Sequence, residues 1–128
     1  MIDHTSIEVA DLDKSTYFYE KVFEPVGLVK LVSREMSVGF GKKYPEFWIN
    51  HRPDKVKTKV GTGSHICLRA PSQEAINQFH KIAVSLGGKS DGAPGNREAS
   101  MTSYYAAFIF DLDGNKVKAV WFDNTSSL

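Results

Sequence analysis

Apolar and polar positions along the chain change period in a fixed order, and that order occurs twice. Residues 2–9 alternate, with Ile7 and Val9 on one side and His4, Ser6 and Glu8 on the other. Such alternation predicts a strand with one face in a core and the other on a polar cavity. Asp11 or Asp13 then stands where a short side-chain oxygen accepts the free amides of a helix's first turn. The helix runs to about Phe23 with Tyr17, Phe18, Val22 and Phe23 as its apolar stripe, and Pro25 and Gly27 stop it. Three strand-like pieces follow at 28–33, 36–40 and 47–50, giving the order β-α-β-β-β. Residues 53–62 are basic, contain glycine and lack a helical period, as expected of a linker between a first module (1–52) and a second (63–124). In the second module a strand at 64–70 leads into a helix from 73 to 86, with Ile76, Phe79, Ile82, Ala83 and Leu86 on one face. Gly87-Gly88 ends that helix. Residues 89–103 read as an irregular Gly/Pro/Ser-rich loop, and strands at 104–110 and 117–122 flank a hairpin turn at 111–115.

The two modules match position by position. His65 stands 61 positions (65 − 4) after His4, and at that offset Phe18 falls on Phe79, Val22 on Ala83 and Gly27 on Gly88. A duplicated half can place equivalent strands side by side about a pseudo-twofold axis. Two histidines distant in the chain then meet in one cavity, where neutral imidazoles are able to bind a divalent metal.

Composition narrows the partner. With 128 residues the chain is the usual size of one domain, and neither half alone buries enough surface to be stable. A net charge of +1, with acids and bases interleaved, offers no broad electrostatic footprint for nucleic acid or an anionic membrane, so the expected partner is a small organic molecule or another protein. The single cysteine, Cys67, excludes an internal disulfide, and no apolar run is long enough to span a membrane. With a start, Met1-Ile2-Asp3-His4, that lacks a basic n-region, these features predict a cytoplasmic location. Asp111-Leu112-Asp113-Gly114-Asn115 resembles the opening of a calcium loop, but the position that needs a glutamate holds Phe122.

Taken in order, several features together resemble the vicinal oxygen chelate superfamily, the glyoxalase, bleomycin-resistance and extradiol-dioxygenase group. They are His4 on the first strand, Asp11-Leu12-Asp13 and Phe18-Tyr19 at the first helix, Phe47-Trp48-Ile49, His65 at the repeat, and Tyr104-Tyr105-Ala106-Ala107-Phe108 followed by 111–117. The resemblance covers essentially the whole chain and implies an α+β fold of two tandem βαβββ modules, each curling a mixed sheet around a cavity, often completed by a homodimer. It also implies metal-assisted lyase, isomerase or dioxygenase chemistry in many members, with His4 and His65 at the two histidine ligand positions. The family's glutamate on the last strand falls on Lys118 here, and by the repeat the other carboxylate position falls near Trp48. An ammonium cannot coordinate a cation and repels it.

The expected function is therefore binding of a small organic molecule, anionic ones included, with a degenerate metal site and no obligatory cofactor. The ligand-binding candidates are His4, Glu8, Trp48, His65, Arg69, Tyr104, Tyr105 and Lys118; Glu8, Lys118 and Tyr105 are the candidates for a catalytic role. Strand alternation puts Lys118, Val120 and Phe122 on one face, and if Lys118 points into the cavity Glu8 is its expected acidic partner, with Glu46 or Glu98 as substitutes. The alternative is an active enzyme that binds zinc, nickel, manganese or iron weakly through His4, His65 and a relocated carboxylate, Glu8 or Glu46. Cys67, on the strand of His65, reads as a buried inert thiol.

Overall fold

The computed structural model describes residues 1–54, 63–98 and 102–123; most of the expected linker lies outside them. Its elements are β1 (Thr5–Val9), α1 (Leu12–Phe23), β2 (Val29–Ser33), β3 (Ser37–Gly41), β4 (Pro45–His51), β5 (Ile66–Arg69), α2 (Gln73–Ser85), β6 (Lys89–Glu98), β7 (Ser103–Phe110) and β8 (Lys116–Trp121). They form two four-stranded mixed sheets of identical topology, β1-β4-β3-β2 and β5-β8-β7-β6. In each, the module's first strand runs parallel to its last, and the other pairs are antiparallel.

The helices begin where side-chain oxygens satisfy free amides: Asp11 accepts from the Lys14 amide and Ser72 from the Ala75 amide. Both helices pack on the inner faces of the sheets and on each other, so that Phe18, Val22, Phe23, Phe40, Phe47, Ile76, Phe79, Ala83 and Ile109 share one core. The stripe of α1 differs from expectation at one place. Tyr19 is fully buried, whereas Tyr17 is 56% exposed. Tyr19 enters the core because its hydroxyl donates to the buried carboxylate of Asp111 at 2.7 Å, and a satisfied hydroxyl removes the main cost of burying a tyrosine.

Two other expectations are corrected. Residues 89–98 form a strand rather than a loop, paired with β7 through a register broken at Ser90/Gly92 and Gly92/Gly95. Pro94 is tolerated there because β6 is the edge of its sheet, where a missing N–H breaks no ladder. The glycine equivalent to Gly27 (φ +87°) is Gly87 (φ +102°), one position earlier than the histidine offset indicates.

Candidate functional site

The side of the second sheet that faces away from the helices is built of cations and rings. Register places Cys67, Lys118, Phe108 and Gly92 in one row across the four strands, and Arg69, Val120, Ala106 and Gly95 in the next. The Lys118 ammonium lies 4.5 Å from the Tyr104 ring centre and 4.8 Å from that of Phe108, and it donates to the Tyr104 hydroxyl at 3.0 Å. The Arg69 guanidinium sits 4.9 Å over Phe122, whose ring tilts against Tyr104 at 5.6 Å. Lys116 also rests on Phe108 but is paired with Asp91 at 2.9 Å. Arg97 lies flat across β6 with a hydrogen bond to the Ala93 carbonyl at 2.8 Å. It can do so because Gly92 and Gly95 have no side chain; a Cβ at either would come within 3.2 or 3.1 Å of the guanidinium. Lys118, Arg69 and Arg97 have no carboxylate partner among the described residues.

Cys67 is exposed on the same face. Desolvation raises its thiol pKa, and the nearby charges of Lys118 and Arg69 pull it back only in part. At neutral pH it is therefore a protonated thiol and not a nucleophile.

The corresponding face of the first sheet carries Ser6, Glu8, Trp48 and Asn50, with Asn50 donating to the Ser6 hydroxyl at 2.8 Å and the Arg34 guanidinium 5.2 Å over the Trp48 ring. His4, Ser6, Arg34, Tyr44, Trp48 and Asn50 belong to an open cavity of about 450 Å³ on this face. A second cleft, of about 320 Å³, lies where the two modules meet, and both His4 and His65 line it with Glu46 and Cys67. The Nδ1 atom of His4 meets the Asp3 carboxylate at 2.8 Å, and that of His65 meets the Gly63 carbonyl at 2.9 Å. Both partners are acceptors, so each Nδ1 donates, and in the neutral form of the ring the Nε2 atom is the one that could ligate a metal.

Among the described residues the contacts found for Lys118 are with Tyr104 and Phe108. Tyr105, adjacent to Tyr104 but on the other side of β7, donates to Asn77 of α2 at 2.7 Å and so belongs to the helix side. Phe108, Phe122, Lys116 and Arg97 join the site without having been nominated from sequence. The first three were accessible from alternation along β7 and β8, since they share the parity of Tyr104 and Lys118. Arg97 was hidden by the loop-like composition of β6.

The metal that this fold type often carries requires at least three protein ligands in a catalytic zinc-type site. Among the described residues no group of three His, Cys, Asp or Glu side chains is placed to hold one. The carboxylates of the β7–β8 turn are engaged otherwise. Asp111 accepts from Tyr19, from the Asp113 and Asn115 amides and from the Asn115 side chain, and Asp113 accepts from the Ala10 amide. The donor set of the described residues does not by itself complete such a site.

The fold agrees with comparison to known proteins. The model of the glyoxalase/bleomycin resistance protein/dioxygenase superfamily matches residues 1–119, and the chain belongs to that family. Among solved structures, a glyoxalase/bleomycin resistance protein from Albidiferax ferrireducens T118 is similar with 27% identity and a TM-score of 0.83, over 94% of this chain and 98% of that one. The fosfomycin resistance protein FosX from Listeria monocytogenes shares the fold at 17% identity and a TM-score of 0.69, over 100% of this chain and 98% of its own. A mutant of that FosX has been solved with Mn(II) and 1S,2S-dihydroxypropylphosphonic acid, at 17% identity and a TM-score of 0.69, over 93% of this chain and 87% of its own. Comparison with curated protein sequences gives no match.

Proposed function

We propose that this family member binds a small organic anion on the outer face of the second sheet and in the adjoining cleft, with no obligatory metal. One observation carries the reading: Lys118, in place of the family's metal-binding glutamate, holds its ammonium on the rings of Tyr104 and Phe108 with no carboxylate among the described residues to neutralise it. A half-buried cation lying on aromatic faces is partly desolvated, and an anion arriving there gains more than it would from a fully hydrated lysine. His4, Trp48, His65 and Arg69 line the surrounding surfaces, and Glu8 lies on the first sheet's face. The test is binding of matched pairs of small organic acids and their neutral amides, followed by calorimetry and amide chemical shifts. Acids should bind and amides should not, and Lys118→Met should weaken the acids by about tenfold or more. Equal binding of acid and amide, or indifference to Lys118→Met, overturns the reading.

A metal-dependent lyase, isomerase or dioxygenase is the second reading, and the free Nε2 atoms of His4 and His65 beside Glu46 in one cleft favour it. Elemental analysis after dialysis against zinc, nickel, manganese or iron separates the two. Stoichiometric metal lost in His4→Ala and His65→Ala supports the second. On the first reading the native protein holds little metal and Lys118→Glu raises its affinity, because a carboxylate supplies both a ligand oxygen and a compensating charge. We also propose a homodimer, supported by acids (Glu8, Glu46) on the outer side of one sheet and cations (Arg69, Lys118, Arg97) on that of the other. Sedimentation equilibrium giving a monomer at tens of micromolar is the contrary outcome.

A further inference from the structure

Resting on the anion-binding reading, we propose that the ligand class of the second sheet is an aryl carboxylate, seated with its carboxylate between Lys118, Tyr104 and Arg69 and its ring on the exposed aromatic faces. The donors are already assembled. Lys118 has three ammonium protons, of which one goes to the Tyr104 oxygen at 3.0 Å. Among the described residues the others meet no acceptor and can turn to an anion. Because the Tyr104 hydroxyl accepts from Lys118, its own proton is left to donate, and among the described residues no acceptor for it is found. Ammonium and phenol therefore present adjacent N–H and O–H groups to one oxygen-bearing ligand. A charge-assisted bond from the ammonium is roughly twice as strong as a neutral one.

Arg69 supplies the second cation. Its strand neighbour across the ladder is Val120, while that of Lys118 is Cys67, so the two cations are diagonal neighbours on adjacent strands. Diagonal positions lie about 7–8 Å apart, a span that two long side chains close around a single carboxylate. The guanidinium sits 4.9 Å over Phe122 and has no carboxylate partner among the described residues, so its N–H groups are available for a bidentate contact.

The rings determine which anion fits. Tyr104, Phe108 and Phe122 are all partly exposed, and Tyr104 and Phe122 are tilted 47° against each other. Between them the row of Ala106, Val120 and Gly95 is already covered, with Ala106 0% and Val120 5% exposed, so a ligand meets the side chains that stand above it. A flat ring can lie against the exposed part of Phe108 or Phe122, whereas a hydrated inorganic anion leaves that aromatic surface uncovered. Offset-stacked or edge-on aromatic contacts add to the charge interaction and are lost with a puckered ring of the same size.

The experiment compares benzoate, cyclohexanecarboxylate, benzamide and inorganic phosphate on the full-length protein, by calorimetry and by the amide shifts of β5, β7 and β8. Benzoate should bind about three- to tenfold more tightly than cyclohexanecarboxylate. Benzamide and phosphate should bind far more weakly. Tyr104→Phe should weaken benzoate while leaving its preference over cyclohexanecarboxylate, and Phe108→Leu should remove the preference, weakening benzoate more than cyclohexanecarboxylate. Arg69→Gln should weaken benzoate and cyclohexanecarboxylate alike, and should it be unstable Arg69→Lys serves, with weaker binding expected from loss of the planar fork; should Phe108→Leu fail to fold, Phe122→Leu replaces it. Equal affinity for the two carboxylates overturns the aryl assignment and leaves the anion reading intact. So does silence toward benzoate when other organic acids shift the same amides. Equal binding of benzoate and benzamide overturns both.

Discussion

Asp111 shows how much one side chain can carry. Its carboxylate is buried yet accepts from Tyr19, two backbone amides of its own turn and the Asn115 side chain. Burial nevertheless outweighs these donors and pushes its pKa above the usual carboxylate value. Replacing it as Asp111→Asn keeps the shape but turns an acceptor into an NH2 group facing donors. We expect a loss of about 1–3 kcal/mol in urea unfolding, the penalty of leaving buried polar groups unsatisfied. The pH dependence follows from the sign of the shift. Below the unfolded pKa both states are protonated and Asp111 contributes nothing. Between the unfolded and the raised folded value the unfolded chain gives up its proton first, so this group lowers stability as pH rises, and the cost stays constant above the folded value. Tyr19→Phe removes a donor that holds the folded value down, so an NMR titration of the Asp111 carboxyl should show it moving further up.

At the scale of elements, helix boundaries were legible because their causes are local. Ser72 accepts from the Ala75 amide, and Ser72→Ala should cost about 1 kcal/mol in thermal unfolding. Gly87 has φ +102°, and a Cβ there would also meet Leu112 at 3.3 Å, so Gly87→Ala should cost about 1–2 kcal/mol. Little change in either variant would mean that the second helix is held by its buried face alone. Alternation likewise predicted the faces of β1 and β8. It misplaced Tyr17 and Tyr19, because one helical stripe admits either neighbour until a partner, here Asp111 from 92 positions further along, selects one. It missed β6 because Gly92-Ala93-Pro94-Gly95 has turn composition, and only pairing with β7 makes that segment a strand.

In the whole molecule the β7–β8 turn clasps the modules together. Asp113 accepts from the Ala10 amide, Asn115 donates to the Glu8 carbonyl, and Asp111 receives Tyr19, so three side chains of the second module bind the β1–α1 region of the first. The helices add a shared apolar core. A fragment of residues 1–54 should therefore show little far-ultraviolet signal for α1 and no dispersed amide spectrum, since it would expose Phe18, Val22 and Phe23 and lose the partner of Tyr19. A dispersed spectrum from that fragment would show the first module to be autonomous.

By itself the sequence determined the repeat, the two βαβββ modules, the helix caps and the residues able to do chemistry. These depend on periodicity, capping and side-chain type, all read within a few positions along the chain. Only the tertiary structure decided which of those residues share a surface. Alternation could place Lys118 and Phe122 on one face of a strand, but strand order and register set Arg69, Phe108, Tyr104 and Arg97 beside them, and gave Lys118 aromatic rings as neighbours. The same pairing sent Tyr105 to the helix side and brought His4 and His65 to one cleft. Register is a long-range property, chosen by burying one face of every strand at once, and no local stretch of residues contains it.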